Sequence, residues 1–155
     1  MKTGKLLILG LIFILTAVAC TPAAKTITVI TDGGKCTLEG ASKVSAGDVT
    51  VTWNIKDKTP PIFGLWFFTL EDNKGYEDLV TYVNKDKWWE NFPPSWAKWQ
   101  GDIYPAKPDS QNEKTISFQS GPLYLVCLSG ESSEVTNDGS DVKTPGILGP
   151  VEVVK

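Results

Sequence analysis

The chain has 155 residues, 15 lysines against 18 carboxylates for a net charge of −3, and neither histidine nor arginine. The missing imidazole takes away the commonest general base, the commonest metal ligand and the usual partner in a catalytic triad. A mildly acidic surface without arginine also argues against nucleic acid, whose phosphates reward clusters of Lys and Arg.

In chain order, Lys2 and Lys5 precede an apolar run from Leu6 to Val18, which small residues close at Ala19-Cys20. A basic start, an apolar middle and a small-residue exit are the plan of a secretory leader over 1–19. The run is shorter than the roughly 20 residues that cross a hydrocarbon core. Ala17-Val18-Ala19-Cys20 resembles the lipobox of bacterial lipoproteins. That resemblance implies that Cys20 carries a diacylglyceryl group and becomes the first mature residue, with 20–25 as the tether. The alternatives are an uncut membrane anchor and a soluble secreted protein cut near Ala19. Thr21, not Asp, follows the cysteine, so no inner-membrane retention signal of the Gram-negative kind is present. Losing Lys2 and Lys5 with the leader takes the mature charge from −3 to −5.

With Cys20 taken by lipid, Cys36 and Cys127 remain. An even remainder in an exported protein points to a disulfide. It would close a loop of roughly 90 residues, worth about 4 kcal/mol in the chain-entropy account. The alternative is two separate buried thiols.

Thr26–Thr31 is β-branched throughout and predicts a strand, with Asp32-Gly33-Gly34 as a turn. Lys35–Val44 reads as a strand broken at Gly40, and Ser45–Asp48 as a second turn. In Val49–Ile55, Val49, Val51, Trp53 and Ile55 share one face, the period-2 pattern of a half-buried strand. After a polar loop, Ile62–Leu70 is almost wholly apolar and predicts a strand buried on both faces. The period then changes: Tyr76, Leu79, Val80 and Val83 form the stripe of a short helix, begun at Asn73 or Gly75. Lys85–Trp99 reads as irregular or briefly helical, and Gly101–Asn112 as a proline-bearing loop. Lys114–Gln119, Pro122–Leu128 and Val151–Val154 predict the last strands, with an acidic loop over Ser129–Pro145. These elements predict one all-β domain over 26–155. It is a Greek-key β-sandwich of about seven strands with a short helical insertion after the fourth.

Three stretches resemble the cupredoxins. Lys43–Trp53 looks like the turn and strand leading toward the first copper ligand. Gly121–Cys127 is similar to the strand that ends at the copper thiolate, and Gly146–Val153 to the closing glycine and last strand. More narrowly, the chain resembles cupredoxin-like bacterial lipoproteins. Family members that carry electrons hold copper with two histidines, a cysteine and usually a methionine. Only Cys127 matches. The loop that should carry the first histidine reads Thr59-Pro60-Pro61-Ile62, and the one that should carry the second begins Ser129-Gly130-Glu131. The resemblance therefore implies the fold without the copper site, no cofactor, and Cys127 as half of a bridge to Cys36.

Trp88, Trp89, Phe92, Trp96 and Trp99 fall within a dozen residues, with Tyr104 soon after. Indoles stack on sugar rings and anchor protein partners. The favoured account is a plug in which the indoles fold over one end of the sandwich, with a ligand or partner surface next and a contact with lipid headgroups last. Glu131, Glu134, Asp138 and Asp141 offer oxygen ligands without calcium-loop spacing. Glu71-Asp72 and Glu77-Asp78 flank the helix start, where acids favour the helix dipole. Nothing in the sequence faces two of them across a cleft, as a glycosidase requires. The reading is a non-enzymatic, membrane-anchored module for a protein or glycan partner, displayed on the extracytoplasmic side. A copper-binding electron carrier or copper chaperone, and a structural envelope component, are the alternatives.

Overall fold

A computed structural model describes residues 24–40, 42–58, 62–85, 88–130 and 145–155. The leader, Cys20, the loop Thr59–Pro61 and the acidic residues Glu131, Glu134, Asp138 and Asp141 lie outside the described residues.

Nine strands and one short helix are described: β1 (Thr26–Asp32), β2 (Lys35–Glu39), β3 (Lys43–Ser45), β4 (Gly47–Ile55), β5 (Ile62–Leu70), α1 (Tyr76–Val83), β6 (Ala97–Ala106), β7 (Ser110–Phe118), β8 (Gly121–Gly130) and β9 (Gly146–Val154). A 3-10 turn spans Trp88–Asn91. One sheet has the order β2-β1-β4-β7 and the other β3-β9-β8-β5-β6. Both mix parallel and antiparallel neighbours: β1 runs parallel to β4, and β3 parallel to β9. The result is the expected all-β sandwich.

The core follows from the alternation. On β4, Val49, Val51, Trp53 and Ile55 are buried. They meet Leu65 and Phe67 of β5, Leu123, Leu125 and Cys127 of β8, and Val151 and Val153 of β9 in one cluster. Side chains one residue out of step on β5 and β8 point away from that core, as the strand period of two dictates. Phe68 and Val126 are nevertheless fully buried, because the insertion between β5 and β6 covers the outer face of the five-stranded sheet. That cover is why β5 is apolar on both faces.

Two expectations need correction. The helical insertion follows the fifth strand, not the fourth, because Lys35–Val44 forms two strands. Gly40, at φ +90°, takes a left-handed conformation that favours glycine. There the chain leaves the sheet of β2 for the sheet of β3. Gly101–Asn112 is not a loop: it contributes most of β6 and the start of β7. β6 is an edge strand, and an edge tolerates Pro105 because no neighbour needs the missing N–H.

Candidate functional site

The place where the resemblance puts a copper thiolate lies inside the sandwich. Cys127 is in the inward register of β8, and its sulfur is bonded to that of Cys36, 91 residues away, with Cα atoms 6.4 Å apart. The bridge joins β2 of one sheet to β8 of the other. Thr31, the buried polar residue of β1, sits against it with 0% exposure. The Trp53 indole Nε1–H donates to Thr31 Oγ1 at 2.9 Å. The Thr31 hydroxyl in turn lies 3.1 Å from Cys36 Sγ and 3.7 Å from Cys127 Sγ. Neither bridged sulfur carries a proton, so the hydroxyl is the donor in this contact. Gly146 pairs with Cys127 across the β8–β9 ladder, and a Cβ there would lie 3.7 Å from Cys36 Cβ.

These residues do not fit copper. The one matching sulfur is spent in a covalent bond, no imidazole exists anywhere in the sequence, and the single methionine is Met1. Among the described residues, no three His, Cys, Asp or Glu side chains group so as to hold a metal ion.

The aromatic cluster divides into three parts. It packs on the outer face of the five-stranded sheet, not over an end of the sandwich. Trp88 is buried with Val83 and Leu128, and its ring meets Phe92 edge-on at 5.1 Å. Phe92 is the hub, 5.2 Å from Trp66 and 5.3 Å from Phe68. Trp89 packs against Trp88 at 6.2 Å, and its buried Nε1 has no hydrogen-bond partner among the described residues. These rings form a second apolar layer.

Trp96 and Tyr82 form the second part, edge to face at 6.1 Å, between two shallow depressions of about 260 and about 450 Å³. Lys74 Nζ sits 5.6 Å from the Trp96 ring centre and Lys85 Nζ 5.3 Å from that of Tyr82. The lysines thus occupy one face of each ring. The Tyr82 hydroxyl donates to the Asn91 carbonyl at 2.7 Å, and burial pushes its pKa above the usual phenol value.

The third part is open. Trp99 and Tyr104 on β6 are 47% and 48% exposed. Trp66 of β5 lies near both, at 6.5 and 6.4 Å between ring centres. A Cβ at Gly64 would come within 3.2 Å of the Tyr104 ring, so the absence of a side chain there lets the tyrosine lie down on the sheet. Trp99 is pinned edge-on to Phe68 at 5.4 Å. Of the five aromatic residues singled out above, the structure therefore brings Trp88, Trp89, Phe92 and Trp96 into packing and leaves Trp99 largely free. Trp66 and Tyr104 join Trp99 through the pairing of β5 with β6, a non-local contact that no local sequence signal carries.

Of the carboxylates near α1, Asp78 is the capping group. Asp78 accepts from Lys74 Nζ at 2.9 Å and from the Gly75 backbone N–H at 3.0 Å. The bond to Lys74 first, then that to Gly75, holds its carboxyl below the usual value. Glu71, Asp72 and Glu77 are exposed, and among the described residues no Asp or Glu is buried.

No protein-family model matches the chain, and no curated protein matches it. Among solved structures it is similar to a dithionite-reduced auracyanin from the photosynthetic bacterium Roseiflexus castenholzii. That pair is 19% identical with a TM-score of 0.46, over 68% of this chain and 85% of the auracyanin. It is also similar to auracyanin B, with 14% identity and a TM-score of 0.38 over 69% of this chain and 79% of that one. Neither likeness places a functional residue.

Proposed function

We propose that the chain is a lipid-anchored, extracytoplasmic binding module on a cupredoxin-like sandwich that holds no copper. The observation that carries this reading is the bond between Cys127 and Cys36 in the core, since it commits the one family ligand present to holding the sheets together. Cys20 is the anchor, and no catalytic role follows from any side chain. The working surface is the open row of Trp99, Trp66 and Tyr104, and its partner is a glycan or a protein segment. Flat, half-exposed rings held in place by packing below give contact area at little cost in conformational entropy.

The test is binding to the full lipidated protein, read by tryptophan emission against a panel of glycans and peptides, alongside the Trp99→Ala and Tyr104→Ala variants. A ligand whose emission shift is lost in both variants supports the reading. If no ligand shifts the emission, the row is not a working surface. A stoichiometric, strongly blue species on adding copper would overturn the metal-free reading in favour of the electron carrier.

A further inference from the structure

We infer that one end of the sandwich, the end where the chain enters at Ala24, rests on the lipid headgroups, while the opposite end, near the Cys36–Cys127 bridge, is held away from the membrane. The inference rests on lipidation of Cys20 proposed above and on where the fold takes hold of the chain. Ala24 already bridges to Val44. Its carbonyl accepts from Ser45 N at 3.0 Å, and that of Lys25 accepts from Thr50 N at 2.9 Å. The backbone is therefore fixed to both sheets from residue 24 onward.

Three residues separate Cys20 from Ala24, and the four steps between them reach about 14 Å at full stretch. The strands decide what that reach allows. The start of β1 is level with the start of β4, the end of β7 and, through Ala46 N to Val154 O at 2.6 Å, the end of β9. The turn Asp32–Lys35 and the Cys127–Gly146 pair lie at the other end. β4 has nine residues, so the two ends are about 26 Å apart. With the strands upright on the bilayer, an acylated Cys20 cannot hold the domain by its far end, because Ala24 would then stand about 26 Å out, beyond the reach of its tether. A domain lying on its β3 edge would instead bring both ends to the headgroups, which labels at the two ends distinguish.

The near rim suits headgroups more than acyl chains. Lys25, Asp48 and Lys155 are exposed there, and Lys43 pairs with Glu152 at 3.4 Å. Among the described residues the large exposed apolar side chains are Tyr76, Trp99 and Tyr104; Tyr76 follows the end of β5, which also reaches this rim, and the other two are on β6. Ala24 sits beside β3, at one edge of the five-stranded sheet, whereas Trp99 and Tyr104 are on β6 at the other edge. Four strand spacings, about 19 Å, separate those edges. The open aromatic row is thus the part of that sheet laterally farthest from the tether, and it faces a partner beside the domain, not the bilayer.

The test uses the full-length acylated protein in vesicles of phosphatidylethanolamine and phosphatidylglycerol doped with a headgroup-nitroxide lipid. A fluorophore is attached through Ser120→Cys at the near end or Lys35→Cys at the far end. The native sulfurs are occupied, so the added thiol labels alone. The expected result is loss of emission from the Ser120 site with emission from the Lys35 site unchanged. A long Gly/Ser insertion after Ala23 should restore the Ser120 emission. Acylated, vesicle-bound protein quenched as strongly at Lys35 as at Ser120 would overturn the orientation alone. A mature chain whose mass lacks acyl groups, or which stays in solution, would overturn the anchor and the orientation with it.

Discussion

Thr31→Val tests whether the buried hydroxyl holds the core together through polar contacts or merely fills space. Valine keeps the branched shape, so the change opens no cavity. It removes the oxygen to which the Trp53 indole N–H donates at 2.9 Å, with both residues at 0% exposure. A buried donor that loses its acceptor costs about 1–3 kcal/mol, against about 1 kcal/mol for a hydrogen bond lost without an orphan. The contact with the Cys36 sulfur adds little, because sulfur accepts weakly. The expected loss is therefore about 2 kcal/mol, a shift of about 1 M in the urea midpoint for a domain of this size. Far-UV circular dichroism during urea unfolding, with the disulfide confirmed intact, reads it. The same change in a Trp53→Phe background should cost less by about 1.5 kcal/mol, since no indole N–H remains to be stranded. An equal cost in both backgrounds would refute the reasoning, as the penalty would then not arise from the Trp53–Thr31 bond.

The remaining predictions address the bridge, the rings, the backbone and the cap. Replacing both Cys36 and Cys127 by alanine should lower stability by about 4.5 kcal/mol in the chain-entropy account for a 91-residue separation, read by denaturant titration beside the reduced native chain. Trp88→Ala should cost about 3–5 kcal/mol by opening the second apolar layer, whereas Trp99→Ala should cost about 1 kcal/mol, the worth of an exposed aromatic pair; equal losses in thermal unfolding would mean that Trp99 is core. Gly149→Ala should cost more than about 2 kcal/mol, because φ is +106° and the new Cβ would meet the Leu123 carbonyl oxygen at 2.8 Å; an unchanged melting temperature would contradict this. Asp78 is held below its ordinary value of 3.8, so the stability it contributes is present above that value and is lost as pH falls through the lower folded value. Asp78→Asn should flatten that part of the acid-unfolding curve while leaving neutral-pH binding unchanged.

What could be read from the sequence follows what is local. The alternation in β4 is local, and so is the stripe of Leu79 and Val83 in α1. The pairing of Cys36 with Cys127 followed from counting, once Cys20 was assigned to lipid. The double-sided burial of β5 was visible as an unbroken apolar run, although nothing said what covers its outer face. β6 was hidden because Gly101 and Pro105 each read as loop residues, while the force that makes it a strand comes from β5, about thirty residues back in the chain. For the same reason Trp99 could not be told from Trp88. Both are indoles in one aromatic stretch, and only the edge position of β6 leaves the first exposed while Val83 and Leu128 close over the second.

The bridge also bears on what holds the two sheets together. The β8 register aims Cys127 into an apolar core, where the thiolate is costly and a lone thiol would have little to bond. Cys36 on β2 reaches the same spot from the other sheet. An S–S bond there removes an ionisable group from the interior and ties a central strand of one sheet to an edge strand of the other. On the surface, Trp99, Trp66 and Tyr104 form an aromatic row on the five-stranded sheet. Its support comes from Phe68 and Phe92 beneath, so binding there asks the rings for little further ordering.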